Sequence, residues 1–305
     1  MFSGSFVAIV TPMRPDGSID YDAWSRLIDL HLASGTHGII VAGTTGESPS
    51  VDDSEVAELI AHAKRQIAGR MVLMAGAGQN STAATVARAR AVSALGVDAL
   101  LVVTPAYNKP TQEGLYLHYA AVAAASSVPV MLYNVPGRTA VDLLPDTVAR
   151  LASVPKIAAI KEAVADLARV RELLAKAPGI AVLSGDDATA REAVLAGAKG
   201  VVSVTANVAP RAVAEVIAAA LAGDATRAAA IDATLAALHK DLFVESNPIP
   251  VKWALARMGL IGDGIRLPLT PLSSGCHARV QAALERAGIT LAASPLSAGP
   301  LSARQ

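Results

Sequence analysis

Short apolar runs rich in Val, Ile and Leu recur along the chain at fairly even intervals, separated by segments with a helical period. The runs are FVAIV (6–10), GIIVAG (38–43), VLMAGAG (72–78), ALLVVT (99–104), VPVMLYN (128–134), KIAAIK (156–161), IAVLSG (180–185) and GVVSVTA (200–206). Between them, Trp24, Leu27, Ile28 and His31 fall at helical steps, and Val56, Leu59, Ile60, Ala63 and Ile67 do the same further on. Asn80-Ser-Thr is a start signal for a helix over 83–95, and Pro210 opens another over 211–222. Continuous apolar strands alternating with helices indicate parallel strands buried on both faces. Eight such units in about 220 residues predict a (β/α)₈ TIM barrel rather than an open doubly wound sheet.

The barrel is expected to occupy residues 1–224. Only helical patterns follow, at 225–240, 250–258 and 273–287, and they predict a small C-terminal helical appendage over 225–288. Residues 289–305 are rich in Ser, Pro, Ala and Gly, have no helical face, and read as a flexible tail.

Composition narrows the function. The chain has 305 residues, with Lys+Arg balanced against Asp+Glu at 26 each and only 3% aromatic residues. Such a chain has no electrostatic footprint for nucleic acid and few rings for stacking bases. No stretch reads as a basic membrane-binding helix, and no apolar run is long enough to span a bilayer. The single cysteine, Cys276, cannot form an internal disulfide or a cysteine-based metal site. No basic leader is visible at the N-terminus. The expectation is a soluble, cytoplasmic protein.

In a barrel of this type the chemistry sits where the strands end. The segments following the eight runs carry Thr11-Pro12, GTTGES (43–48), Gln79-Asn80, TPAYNKP (104–110), YNVPGRT (133–139), Lys161-Glu162, SGDD (184–187) and Thr205-Ala-Asn207. Lys161 is the sharpest of these. An ammonium at the end of a buried strand is unfavourable unless something uses it. Glu162 is a poor ion-pair partner for it, because neighbouring strand residues point to opposite faces. Desolvation at a barrel mouth favours a neutral amine, which can attack a carbonyl and form a Schiff base; the other reading is a structural ion pair.

The remaining candidates each carry two readings. GTTGES, with Thr44 and Thr45, either binds an anion through backbone N–H groups or is an ordinary turn; it is no P-loop, since no Gly-Lys-Ser/Thr follows. Tyr107 and Tyr133 either relay protons or pack amphipathically at the rim. Arg138 either forks onto a substrate carboxylate or is a solvated loop charge. Asp186 and Asp187 read as caps for the next helix. The six histidines are scattered, none ends a strand, and no spacing suggests a metal site. No Ser-His-Asp arrangement is apparent.

Taken together, GTTGES, TPAYN, LYNVPGRT, IKEA, VLSGDD, GVVSVTAN and FVESNPIPVKWA resemble the dihydrodipicolinate synthase family. It belongs to the pyruvate-dependent, class I aldolase-like lyases that include N-acetylneuraminate lyase. The resemblance runs from Met1 to about Ile289. It implies condensation of pyruvate with L-aspartate 4-semialdehyde on the route to diaminopimelate and lysine, without metal or cofactor. By motif, it implies Lys161 as the Schiff-base lysine and Tyr133 as the phenol assisting imine formation and proton transfer. Thr44 and Tyr107 become relay partners, with Tyr107 reaching in from a neighbouring subunit. Thr45 and the backbone at Val202 hold pyruvate, and Arg138 clamps the semialdehyde carboxylate. A homotetramer made of tight dimers is implied as well.

One set of positions departs from lysine-regulated relatives. Where those relatives carry polar or aromatic groups around a lysine-binding cleft, this chain has Asp53, Val56, Ala84 and Ala106, while Ser48 and Asn80 remain. Weak or absent inhibition by lysine is expected. Two alternatives stand beside the main reading: a sister lyase acting on sialic acid or a 2-keto-3-deoxy sugar acid, and a catalytically dead regulatory barrel.

Overall fold

The computed structural model describes residues 1–292; residues 293–305, most of the expected tail, lie outside the described residues. Eight parallel strands close into a barrel in sequential order: β1 (Gly4–Ala8), β2 (Gly38–Val41), β3 (Val72–Gly76), β4 (Ala99–Val103), β5 (Val130–Asn134), β6 (Ile157–Glu162), β7 (Ala181–Ser184) and β8 (Gly200–Ser203). The helices are α1 (Tyr21–Ala33), α2 (Asp53–Ile67), α3 (Thr82–Ala94), α4 (Gln112–Ala125), α5 (Pro136–Thr139), α6 (Pro145–Leu151), α7 (Leu167–Lys176), α8 (Ala190–Leu195), α9 (Pro210–Leu221), α10 (Ala225–Asp241), α11 (Ile249–Arg257) and α12 (Ser274–Arg286).

The apolar runs are continuous because each strand serves two cores. Phe6, Ala8, Ile40, Met74, Leu101, Met131, Tyr133, Ala159, Leu183 and Val202 fill the barrel interior. Their strand neighbours, among them Val7, Ile39, Leu73, Leu100, Leu132, Ile160 and Val201, face the helices. This is the period-two split of a parallel sheet covered on both sides. Closure of β8 onto β1 depends on Gly200, whose register partner is Gly4. A Cβ there would stand 2.0 Å from the Gly4 carbonyl oxygen.

Several apolar runs are not strand throughout. Ile9 and Val10 are buried yet lie past β1, and the Val10 N–H donates to Asn207 Oδ1. Ala42 turns to φ 51°, and residues 205–207 form a 3₁₀ turn. Burial at these positions belongs to the packed mouth of the barrel and not to the sheet, so apolar character alone overshoots the strand ends. Helix starts follow their caps: Asp52 and Glu55 form a reciprocal capping box on α2, and Ser81 caps α3.

Helices α10 to α12 pack beside the barrel. From α11, Lys252 reaches Glu47 in the loop after β2, and both side chains are buried. Arg266 donates from its backbone to Glu47, and its guanidinium pairs with Glu55 and bonds the carbonyls of Gly17 and Ser50. The C-terminal region is thus locked to the loops following β1 and β2. At the start of the expected tail, Ile289 and Leu291 pack on the core and the Ala292 N–H donates to the Arg257 carbonyl. Among the described residues no helix is long and apolar enough to cross a membrane.

Candidate active site

Lys161 comes from β6 and is 4% exposed. Ala159, two positions back on the same side of the strand, belongs to the interior cluster, and Ala163, just past the strand, packs against it, so the lysine side chain rises inside the barrel. Among the described residues it has no ion-pair partner; its Nζ lies 4.2 Å from the centroid of the Tyr133 ring. The two residues are register partners across β5 and β6. Space for the lysine stem is left by Gly185, just past β7. A Cβ there would fall 2.9 Å from Lys161 Cε and 3.0 Å from its Cγ.

One residue further along the same two strands the side chains face the other way. Asn134 and Glu162 are the next register pair, and Asn134 Nδ2 donates to both Glu162 oxygens at 3.1 and 3.0 Å. It also donates to Asp142, which Arg169 engages through two N–H groups. Burial raises the pKa of Glu162, while the Arg169 guanidinium holds Asp142 below the usual carboxylate range. The acid next to Lys161 in sequence is therefore consumed on the outer face of the sheet.

Thr44, Ser48, Gln79, Arg88 and Tyr133 line one cleft of about 340 Å³. Thr44 also lines two adjoining clefts that contain Arg138, of about 820 Å³ and 600 Å³. Thr45 is buried, and its Oγ1 accepts from Asn247 Nδ2 at 2.9 Å. Arg138, in α5, donates to the Asn247 carbonyl at 3.2 Å. Its turn is tied to the end of β4 by a Thr104–Thr139 hydroxyl bond. Val202 lies inward on β8, beside Phe6 of β1. Tyr107 is 93% exposed, at φ 71°, and is not among the residues lining the clefts of Thr44. The structure thus brings Thr44, Tyr133 and Lys161 together, sets Arg138 beside them, buries Thr45 and Val202 in the walls, and leaves Tyr107 outside.

Asp186 accepts from the Thr189 N–H and hydroxyl near the start of α8. Asp187 does not cap that helix. It is buried, and its Oδ2 accepts the N–H groups of Val204 and Thr205, holding the turn after β8. Sequence reasoning also missed Gly185, Asn247 and the Glu47–Lys252 pair. Their only signals are a glycine in SGDD, the glutamate of GTTGES and polar residues inside NPIPVKWA. Among the described residues no group of three or more His, Cys, Asp or Glu is placed to hold a metal.

A parallel barrel with an inward, unpaired amine beside a phenol is the framework of a carbonyl-condensing enzyme. The model of the dihydrodipicolinate synthetase family matches residues 1–287, and the chain belongs to that family. It is 54% identical over 290 residues to the 4-hydroxy-tetrahydrodipicolinate synthase of Ectopseudomonas mendocina, covering 95% of this chain and 99% of that one. Identity to the enzyme of the same name from Methylococcus capsulatus is also 54%, over 95% and 100% of the two chains. Among solved structures, the chloride-inhibited dihydrodipicolinate synthase from Acinetobacter baumannii, complexed with pyruvate, superposes with a TM-score of 0.94. It is 49% identical, over 95% of this chain and all 100% of that one.

Proposed function

We propose that this protein condenses pyruvate with L-aspartate 4-semialdehyde to give 4-hydroxy-tetrahydrodipicolinate, on the way to diaminopimelate and lysine. The observation that carries the reading is the buried, inward Lys161 amine, with no ion pair among the described residues, and the Tyr133 ring 4.2 Å away. Family membership and the names of the relatives support the same chemistry.

The Nζ lone pair adds to the ketone carbon of pyruvate, and protonation with loss of water leaves a protonated imine. This cation is the electron sink, so the reaction requires no cofactor. It draws electrons from the adjacent methyl group, which gives up a proton and becomes an enamine carbon. That carbon adds to the aldehyde. The amino group of the adduct then adds to the imine carbon, expels the lysine amine and closes the ring. Tyr133 and Thr44 move protons in these steps. Thr45 and the Val202 backbone hold the pyruvate carboxylate end, and Arg138 receives the acceptor carboxylate. The exposure of Tyr107 supports a role in the site of a neighbouring subunit, within a cytoplasmic homotetramer built as a dimer of dimers.

Lysine inhibits weakly or not at all in this reading. Ala84 and Ala106 provide no polar side-chain group, Val56 is buried in the core, and the Asp53 carboxylate is engaged by Arg88 at 2.8 Å. Strong inhibition below about a millimolar, an affinity near −4 kcal/mol, contradicts it. Turnover of pyruvate with L-aspartate 4-semialdehyde, set against turnover with sugar aldehydes, tests the main assignment. The semialdehyde is expected to be preferred; preference for a sugar acceptor overturns it.

A further inference from the structure

Asn247 lies between two groups to which substrate carboxylates are assigned above, yet it comes from neither a barrel strand nor a barrel loop. It sits in the segment joining α10 to α11, 202 positions from Thr45 and 109 from Arg138. Its side chain donates to Thr45 Oγ1 at 2.9 Å, and its main-chain carbonyl accepts from Arg138 Nη2 at 3.2 Å. It is 6% exposed, and its Oδ1 is buried without a partner among the described residues. The side chain's single hydrogen bond therefore goes to Thr45.

A hydroxyl has one proton and two lone pairs. When Asn247 donates to Thr45 Oγ1, one lone pair is taken and the proton remains to be given. Thr45 is 1% exposed, and among the described residues its hydroxyl donates to nothing. A buried hydroxyl held as an acceptor keeps its proton available for a further acceptor.

We infer that Asn247 is a positioning residue for the keto-acid carboxylate: its amide turns the Thr45 proton towards the donor substrate, while its main chain separately steadies Arg138 for the acceptor. This rests on the role given to Thr45 above. The two halves are separable, because side-chain substitution removes the Thr45 bond and leaves the carbonyl that receives Arg138.

Steady-state kinetics on Asn247→Ala, Asn247→Asp, Thr45→Val and the Asn247→Ala/Thr45→Val double variant test the inference, with melting temperature as the check on folding. Asn247→Asp keeps the side chain's shape and removes the N–H donor, so it serves if the alanine variant does not fold. The KM for pyruvate is expected to rise about tenfold in each single variant, with kcat and the KM for the semialdehyde within about twofold of wild type. The double variant should be no worse than Thr45→Val alone, since one residue acts through the other. A folded Asn247 variant with unchanged pyruvate KM, where Thr45→Val raises it, overturns the inference alone. Additive effects in the double variant, or equal shifts in both KM values, do the same. If Thr45→Val leaves the pyruvate KM unchanged, the role of Thr45 falls and the inference falls with it.

Discussion

Tyr133 and Lys161 are register partners on β5 and β6, with the lysine Nζ 4.2 Å from the centroid of the tyrosine ring. The strands are parallel, and beyond a register shift between Val130 and Met131 the backbone pairing sets these two positions side by side. The same register places Asn134 against Glu162 on the opposite face, where Arg169 pairs with Asp142 and lies 3.5 Å from Glu162. One pair of strands thus presents a free amine and a phenol inward, and holds the adjacent acid away from them.

Tyr133→Phe keeps the ring against Lys161 and removes only the hydroxyl. With proton transfer impaired, kcat is expected to fall by about 10²–10⁴, while the melting temperature stays near wild type. Steady-state rates beside a thermal melt check this. A variant with full kcat shows that the phenol moves no proton.

Gly185→Ala tests the space that the lysine needs. The new methyl group would meet Lys161 Cε at 2.9 Å and Ala163 Cβ at 2.9 Å. The flexible lysine stem is the part most able to yield, so the amine shifts from its place beside Tyr133. A fall in kcat/KM of at least about 10²-fold is expected, since roughly 1 Å of misplacement has that effect. Far-ultraviolet circular dichroism should be unchanged. Wild-type activity would mean that the lysine position is not critical.

The Glu47–Lys252 pair is a second test, this time of stability. Both side chains are almost wholly buried, and burial pushes the Lys252 amine below its ordinary pKa despite the nearby carboxylate. Lys252→Met leaves Glu47 buried without its ion pair and is expected to cost about 3–5 kcal/mol. The double variant Glu47→Gln/Lys252→Met should recover most of that loss. Urea unfolding of the variants measures both. Equal destabilisation by the single and double changes would contradict this account.

Burial lowers His31 from its usual 6.5 to about 3. Its Nδ1 faces Thr36 Oγ1 at 2.9 Å, and its Nε2 is buried without a partner. The folded protein therefore keeps the ring neutral at pH values where the unfolded chain takes up a proton. The stability from this residue is full above pH 6.5 and is withdrawn as pH falls towards 3, by up to about 4–5 kcal/mol. His31→Gln should flatten the dependence of unfolding free energy on pH between 6.5 and 3. An unchanged slope would show that another group governs it.

Much of this was visible in the chain alone, and the reasons differ by element. The barrel was legible because parallel strands covered on both faces need unbroken apolar runs, and eight of them alternate with helices. Lys161, Tyr133 and Thr44 stand out as candidates because they are polar groups where apolar strands end, and the structure sets Thr44 and Lys161 near Tyr133. Strand ends were less so, since Val10 and Ala42 are buried outside the sheet. Asn247 and Lys252 escaped notice because their partners lie 202 and 205 positions away, and no local pattern encodes such a contact. Asp187 read as a helix cap from its neighbours, but its bonds run to the turn after β8.

The central claim is covalent, and it is tested most directly by reducing the protein with borohydride in the presence of pyruvate and mapping the product by peptide mass spectrometry. The account predicts a single reduced pyruvate adduct on the peptide containing Lys161, absent in Lys161→Arg. An unmodified Lys161 peptide, or an adduct on another lysine that persists in that variant, would contradict it.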